Sequence, residues 1–171
     1  GNDFIKAFSS PEFFSDIKRQ LLGKPERLDL IRYNNKYCIN VLNIGFDCDV
    51  VQKVSEIKRS ALVPSKLAYL FSVANVFTKT FGKSFKVLID DRELIEHEFM
   101  LLALANANYY GDGFKVAPDA LLDDGYMNLC LVDKVSRAEF IKLVAKYKVG
   151  HHVNENGESL YPFIRYQKCK K

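Results

Sequence analysis

The densest group of candidate chemistry in the chain is Leu121-Leu122-Asp123-Asp124-Gly125-Tyr126. Carboxylates on a turn with free main-chain carbonyls offer hard oxygen donors of the kind that bind magnesium, and chemistry on phosphates needs such a cation to neutralise charge. The competing reading of the same residues is an ordinary Asp-Gly hairpin turn between two strands. Asn2 and Asp3 supply an amide and a carboxylate that would order a phosphate-side network beside a nucleotide or a lipid hydroxyl; at a chain end, fraying competes with that role. Asp47 reads either as an acid in the first turn of a helix, facing exposed backbone donors, or as a polar residue lining a cleft. Tyr109-Tyr110 read as packing between sheet and loop, or as the border of a cleft. His97 reads as solvated. His151 and His152 are adjacent, so on regular structure they point apart, and with no third ligand at suitable spacing they make no metal pair.

Composition bounds what these groups can serve. In 171 residues, 48% are hydrophobic and 27% charged, which suits one folded domain with a full core and excludes disorder or a collagen-like chain. The 25 Lys and Arg against 21 Asp and Glu give a net charge of +4. That balance favours anionic partners weakly, a membrane surface or a polyphosphate, and the dispersed basic residues form no nucleic-acid stripe. Cys38, Cys48, Cys130 and Cys169 are scattered and lack CxxC spacing. They read as free thiols in a reducing, cytoplasmic setting, not as a disulfide frame or a zinc site. The longest apolar runs, such as Phe99 to Ala105, are far shorter than the roughly 18 to 20 residues of a membrane span, so membrane contact is expected to be peripheral. Gly1 opens the chain in place of methionine and Lys171 closes it in mid-strand, which reads as a piece of a longer polypeptide.

The elements that must position the candidates follow from periodicity. Helices are predicted near residues 11–22 (Pro11 at the first turn), 49–59, 65–81 and 136–147, the last with Ser136 and Glu139 in capping-box spacing. Strands are predicted near 27–33 and 37–43, joined through Asn34-Asn35, then near 84–90, 98–107 and 127–133, with a final one starting at Tyr161 to Tyr166. Asp90-Asp91-Arg92 reads as a second hairpin turn. On 127–133, Met127, Leu129 and Leu131 take one face and Cys130 and Val132 the other. His151 to Gly157 reads as a polar loop. The expected fold class is mainly β, a distorted antiparallel β-sandwich with about three helices.

Three stretches resemble the diacylglycerol kinase catalytic family, in particular its bacterial lipid-kinase members, to which sphingosine and ceramide kinases are related. Gly1-Asn2-Asp3-Phe4 is similar to the tail of the family's GTGNDF element. Asn40 to Val50, with Gly45-Phe46-Asp47-Cys48, resembles its GFDA segment. The most specific stretch runs from Ala105-Asn106 through Tyr109-Tyr110-Gly111-Asp112-Gly113, Ala117-Pro118-Asp119-Ala120 and Leu121 to Met127.

The resemblance implies that residues 1–171 are the C-terminal, substrate-side domain of a two-domain lipid kinase of NAD kinase-like fold. Residues 1–4 would be the tail of the nucleotide-domain element, with the nucleotide-binding domain itself absent as a missing partner. It implies ATP and Mg²⁺ as cofactors, Asn2 and Asp3 on the cofactor side, and a metal held by Asp124 with the main-chain carbonyls of Leu121 and Tyr126. No catalytic residue is expected inside the chain; the acidic one would follow Lys171, so the isolated chain is expected to be inactive. Partners would be a lipid substrate at a membrane surface, with a homodimer compatible and no nucleic acid. Two departures stand out. Asp112 occupies a glycine position of YYGGG, where Asp also tolerates a glycine-like turn, and Cys48 replaces an alanine, a conservative change in a small buried place. Sphingoid or other hydroxylated lipids remain alternative substrates, and a non-catalytic lipid-binding or interaction domain is the alternative outside the enzyme class.

Overall fold

Residue alternation concentrates large apolar side chains on both faces of one long strand, and the structure is built around it. The computed structural model describes residues 2–60, 75, 82–91 and 93–170. The central strand β5 (Glu93–Ala105) pairs antiparallel with three others. Its first half takes β4 (Lys83–Ile89), its second half takes β3 (Val41–Gly45), and β8 (Tyr126–Asp133) runs along its other edge from Phe99 to Ala105. β9 (Ile164–Lys170) adds to β8, giving the order β3-β5-β8-β9 with β4 off that path. Two short hairpins complete the strands: β1 (Ile31–Tyr33) with β2 (Lys36–Cys38), and β6 (Tyr109–Tyr110) with β7 (Phe114–Lys115). The result is a mostly β, distorted antiparallel domain with about three helices, as the sequence led us to expect.

Leu101, Ala103 and Ala105 of β5, with Cys130 and Val132 of β8, face a core shared with α2 (Phe46–Ser60) and α3 (Arg137–Lys148). Leu102, Leu129 and Leu131 face a second core with Ile89, Ile95 and Phe99. The period of two read from residues 127–133 is therefore realised face for face. Phe46 and Phe140, with ring centroids 5.1 Å apart, tie α2 to α3. β5 carries an irregularity between Phe99 and Leu101, and Gly45 lies opposite it, paired with Leu101 at φ +115°. A Cβ at Gly45 would run into the Met100 carbonyl oxygen and come within 3.1 Å of its carbon. Only glycine allows β3 to approach this closely and then turn at once into α2.

Several expectations shift in detail. The first predicted helix is a 3-10 turn (Pro11–Ser15) followed by α1 (Ile17–Leu22). Asp16 interrupts it because its side chain accepts the Arg19 amide at 3.1 Å and caps the second piece. The strand predicted near 37–43 splits into β2 and β3. Asn106 explains the split: its side-chain amide donates to the main-chain oxygens of Asp29 and Ile39, both at 2.9 Å, and its own amide donates to the Asn40 oxygen at 2.8 Å. These bonds pull the chain out of the hairpin and into the main sheet. β5 starts at Glu93, earlier than expected, because the turn at Asp90 and Asp91, with φ of +50° and +54°, pairs it with β4 from its first residue. α3 begins as predicted, with both halves of the Ser136/Glu139 capping box present. The helix expected near 65–81 lies outside the described residues.

Candidate functional site

Asp3 and the segment Tyr109 to Gly113 are 106 or more residues apart in sequence, and the fold brings them together. The β6–β7 hairpin turns through Gly111, Asp112 and Gly113 at φ of +56°, +68° and +95°. Three successive left-handed residues call for glycine at the two flanking positions, and Asp is among the few residues that tolerate the middle one. The Asp112 amide donates to Asp3 Oδ2 at 2.8 Å, while Asp3 Oδ1 accepts Lys6 Nζ at 2.7 Å. Partial burial works to raise the Asp3 carboxyl, but the Lys6 ammonium and the amides of Asp112 and Gly113 outweigh it and hold it below the usual carboxylate range. The bond to Asp3 raises Lys6 in turn. Lys6 and Lys115 lie 6.0 and 5.8 Å from the Tyr109 ring centroid. Asn2, by contrast, is exposed and makes no hydrogen bond among the described residues.

Behind this hairpin, β5, α2 and α3 enclose a cavity of about 420 Å³. Phe46, Val50, Met100, Phe140, Leu143 and Tyr147 form its apolar body, and Asn43, Gly111 and Asp112 give it a polar rim. Tyr110 lines it too, so of the tyrosine pair one borders a cleft and the other carries cations on its ring face. The Cys48 position is a correction: the thiol is exposed, not in a small buried place, because the first turn of α2 leaves it at the surface, where Sγ donates to the Asn43 main-chain oxygen at 3.1 Å. Asp47 falls in that first helical turn.

The Asp124 loop is a second cluster. Asp124 Oδ1 accepts the Tyr126 amide at 3.0 Å and Oδ2 faces Lys168 Nζ at 3.2 Å. Asp29 holds the loop from the other side, its amide donating to the Leu122 oxygen at 2.7 Å and its carboxylate accepting the Gly125 amide at 2.8 Å. The donors that Asp124, Leu121 and Tyr126 offer are all oxygen, the class a magnesium ion takes, with one carboxylate and remaining positions for water. Among the described residues there is no group of three or more His, Cys, Asp or Glu that could hold a metal. The set is one carboxylate with two main-chain carbonyls and not a carboxylate cage, and Lys168 is the cation paired with Asp124 here.

Sequence reasoning missed the residues that support both clusters. Asn108 donates to the main-chain oxygens of Ala117, Pro118 and Ala120 at 2.9, 3.2 and 3.1 Å. It fixes the stretch between the GDG hairpin and the Asp124 loop. His152 lies in the expected loop but is fully buried, with Nε2 on the Val116 oxygen at 3.1 Å and Nδ1 without a hydrogen bond among the described residues. Burial pushes its pKa down to about 4. Tyr166, Asp119 and buried Asn128 form a network beside it, Asn128 donating to Tyr166 at 2.7 Å and Tyr166 to Asp119. Burial, then the Asp119 carboxylate, raises the Tyr166 hydroxyl above its ordinary range, so it stays a donor. The available signal was polar side chains ending the most apolar strand, where burial demands partners.

Comparison with known proteins joins these features. Residues 40–159 match the family model described as the YegS C-terminal NAD kinase beta sandwich-like domain. The chain is 28% identical over 170 residues to a diacylglycerol kinase of Staphylococcus saprophyticus, covering 99% of this chain and 53% of that protein. It is 26% identical over 156 residues to the diacylglycerol kinase of Bacillus subtilis, covering 90% and 50%. A crystal structure of a diacylglycerol kinase from Bacillus anthracis superposes with a TM-score of 0.57 at 16% identity, over 98% of this chain and 50% of that one, a likeness of fold. The chain spans about half the length of the relatives it matches. With most of its sheet, both candidate loops and α3 inside the matched residues, this chain belongs to the YegS C-terminal NAD kinase β-sandwich-like domain family, the C-terminal region of the diacylglycerol-kinase-like lipid kinases.

Proposed function

We propose that this chain is the acceptor-side domain of a two-domain, ATP-dependent lipid kinase that phosphorylates the hydroxyl of diacylglycerol or a similar lipid. The observation that carries the reading is the convergence of Asp3 and the GDG hairpin on the polar rim of an apolar cavity. An apolar body with few polar groups at one end matches a lipid whose chains are buried and whose hydroxyl waits at the mouth. Asp3, kept ionised by Lys6, positions the hairpin through its amides, so the rim is rigid before substrate arrives. Magnesium, when bound, supplies charge neutralisation for phosphoryl transfer; Asp124 with the Leu121 and Tyr126 carbonyls would hold it. ATP would be held by the other half of the protein, with Asn2 and Asp3 facing it.

The missing half also accounts for α1. Its Ile17, Leu21 and Leu22 are 76%, 81% and 86% exposed. A helix this short is marginal alone and gains stability from packing, so this face is the proposed seat of the nucleotide-binding half. No helix among the described residues is long and apolar enough to cross a membrane, and lipid would be reached by peripheral contact.

The test is a kinase assay of the full-length protein with magnesium, ATP and diacylglycerol, a sphingoid base or ceramide as acceptor. Magnesium-dependent transfer to diacylglycerol, absent from the isolated chain, is expected. Lipid binding without transfer to any acceptor would replace this reading with a lipid-binding module.

A further inference from the structure

The polar rim of the cavity has an arrangement that the general reading does not use. Asp3 is neutralised by Lys6, and its second oxygen is occupied by the Asp112 amide. The Asp112 carboxylate, by contrast, takes part in no hydrogen bond or ion pair among the described residues, although Lys6 feels its charge. Its backbone is fixed at φ +68° by the bond to Asp3, so the side chain is carried on a rigid turn at the cavity wall. Asn43 lines the same wall, and of the tyrosines there Tyr147 gives its hydroxyl hydrogen to Cys130 Sγ. The Asn43 amide oxygen accepts the Cys48 thiol at 3.2 Å, and its NH₂ has no hydrogen bond among the described residues. Among the described residues, the rim thus presents an unpaired anionic acceptor in Asp112 and an unpaired neutral donor in Asn43. Lys115 and Lys148 are drawn over the rings of Tyr109 and Phe114, 5.8 and 5.3 Å from the centroids.

We infer that Asp112 selects the headgroup of the bound lipid, favouring a hydroxylated head without negative charge over one that already carries phosphate. The inference rests on the cavity being the acceptor-lipid site. A hydroxyl both donates and accepts, so it can give its hydrogen to Asp112 and receive one from Asn43. A phosphate monoester brings acceptor oxygens and negative charge, which Asn43 can meet and Asp112 repels. Asp112 is then a specificity-determining residue that also disfavours retention of a phosphorylated product. A glycine at this position would leave the cavity and its mouth intact but indifferent to that charge.

The experiment uses the full-length protein and one acyl chain in two forms, a short monoacylglycerol and its phosphate monoester, each titrated below its micelle concentration by calorimetry. Wild type is expected to bind the neutral form about tenfold more tightly, the scale of a single repulsive contact near a surface. Asp112→Gly suits the left-handed backbone, and Asp112→Asn keeps a hydrogen-bonding side chain there. Both should bind the phosphate form about tenfold better than wild type, and Asp112→Asn should hold the neutral form nearly as well. An unchanged ratio of the two affinities in both variants overturns the role of Asp112. Val144→Trp, which fills the cavity from α3, separates the two levels. If it weakens neither lipid, or if wild type binds neither, the cavity is not the lipid site and the inference falls with that reading.

Discussion

The GDG hairpin and the Asp124 loop are built from the same materials and used in opposite ways. Each sets an aspartate beside a left-handed glycine, and each is gripped by a second aspartate from the N-terminal part of the chain, Asp3 in one case and Asp29 in the other. In the hairpin the grip falls on the backbone of Asp112 and leaves its carboxylate unengaged among the described residues. In the other loop the Asp124 carboxylate is itself engaged, by the Tyr126 amide and Lys168. A carboxylate satisfied by its own turn is ready to shape a site or hold an ion that displaces one partner. A carboxylate left open on a clamped turn is ready for whatever arrives at the cavity.

The largest test removes what the two loops share. Asn108→Ala removes the amide whose two hydrogens are shared among the Ala117, Pro118 and Ala120 oxygens, of which Ala117 keeps the Ala120 amide. We expect a loss of about 4 kcal/mol and a melting temperature lower by roughly 12 °C, read by calorimetry. A change of a degree or two would mean that the loops are held independently.

Acid should loosen the same support through His152. Its pKa of about 4 in the folded chain lies below the ordinary 6.5, so the unfolded state takes up the proton first as pH falls. Stability from this group is complete above pH 6.5, drains away between there and pH 4, and levels below, a change of about 3 kcal/mol. Urea melts across that range should show the slope, and His152→Gln should flatten it. An equal slope in the variant would assign the acid sensitivity elsewhere.

Asp3→Asn separates the loops, because it reaches only the hairpin. Losing the ion pair with Lys6 should lower lipid phosphorylation by the full-length protein about 100-fold, with magnesium dependence unchanged. Activity within threefold of wild type would reduce Asp3 to a terminal tether. Asp124→Asn is the reciprocal and smaller change. It removes one charge at nearly constant size, and we expect the magnesium concentration for half-maximal activity to rise about tenfold while the folded spectrum is kept. Identical magnesium titrations in the two proteins would leave Asp124 an ordinary turn residue.

How much of this could be read from the sequence depended on range. The capping box of α3 and the two faces of β8 are local patterns, and both are realised. The break at Asp16 was missed because a capping aspartate and a mid-helix aspartate look alike until the backbone amide it accepts is known. Asn106 and Asn108 carry no local sign of what they hold. The carbonyls that Asn106 holds lie 77 and 67 residues away, beyond any window along the chain, and those that Asn108 holds lie 9 to 12 residues on in irregular chain, where no period points to them. The meeting of Asp3 with Asp112 is longer still in range. Resemblance supplied both motifs as separate pieces, and only the folded sheet shows that they form one rim. Asp124 was legible as an oxygen donor, but its engagement by Lys168, 44 residues on, was not.

The central strand also has a consequence for how the chain acquires its shape. β4 and β5 are joined by a short turn and can pair as soon as both exist, whereas β3 reaches β5 across roughly 60 residues and β8 reaches it across about 30. Closing those longer loops costs entropy before any contact repays it, so pairings distant in sequence come late and make folding slow. We therefore expect the β4–β5 hairpin to gain protection first in pulsed amide exchange, with Leu101 to Ala105 following only when both neighbours arrive. Simultaneous protection of both halves of β5 would contradict this order. Because Gly111 to Gly113 and Asp124 lie beyond the end of β5 that closes last, the cavity rim and the Asp124 loop would be assembled only in the final stage of folding.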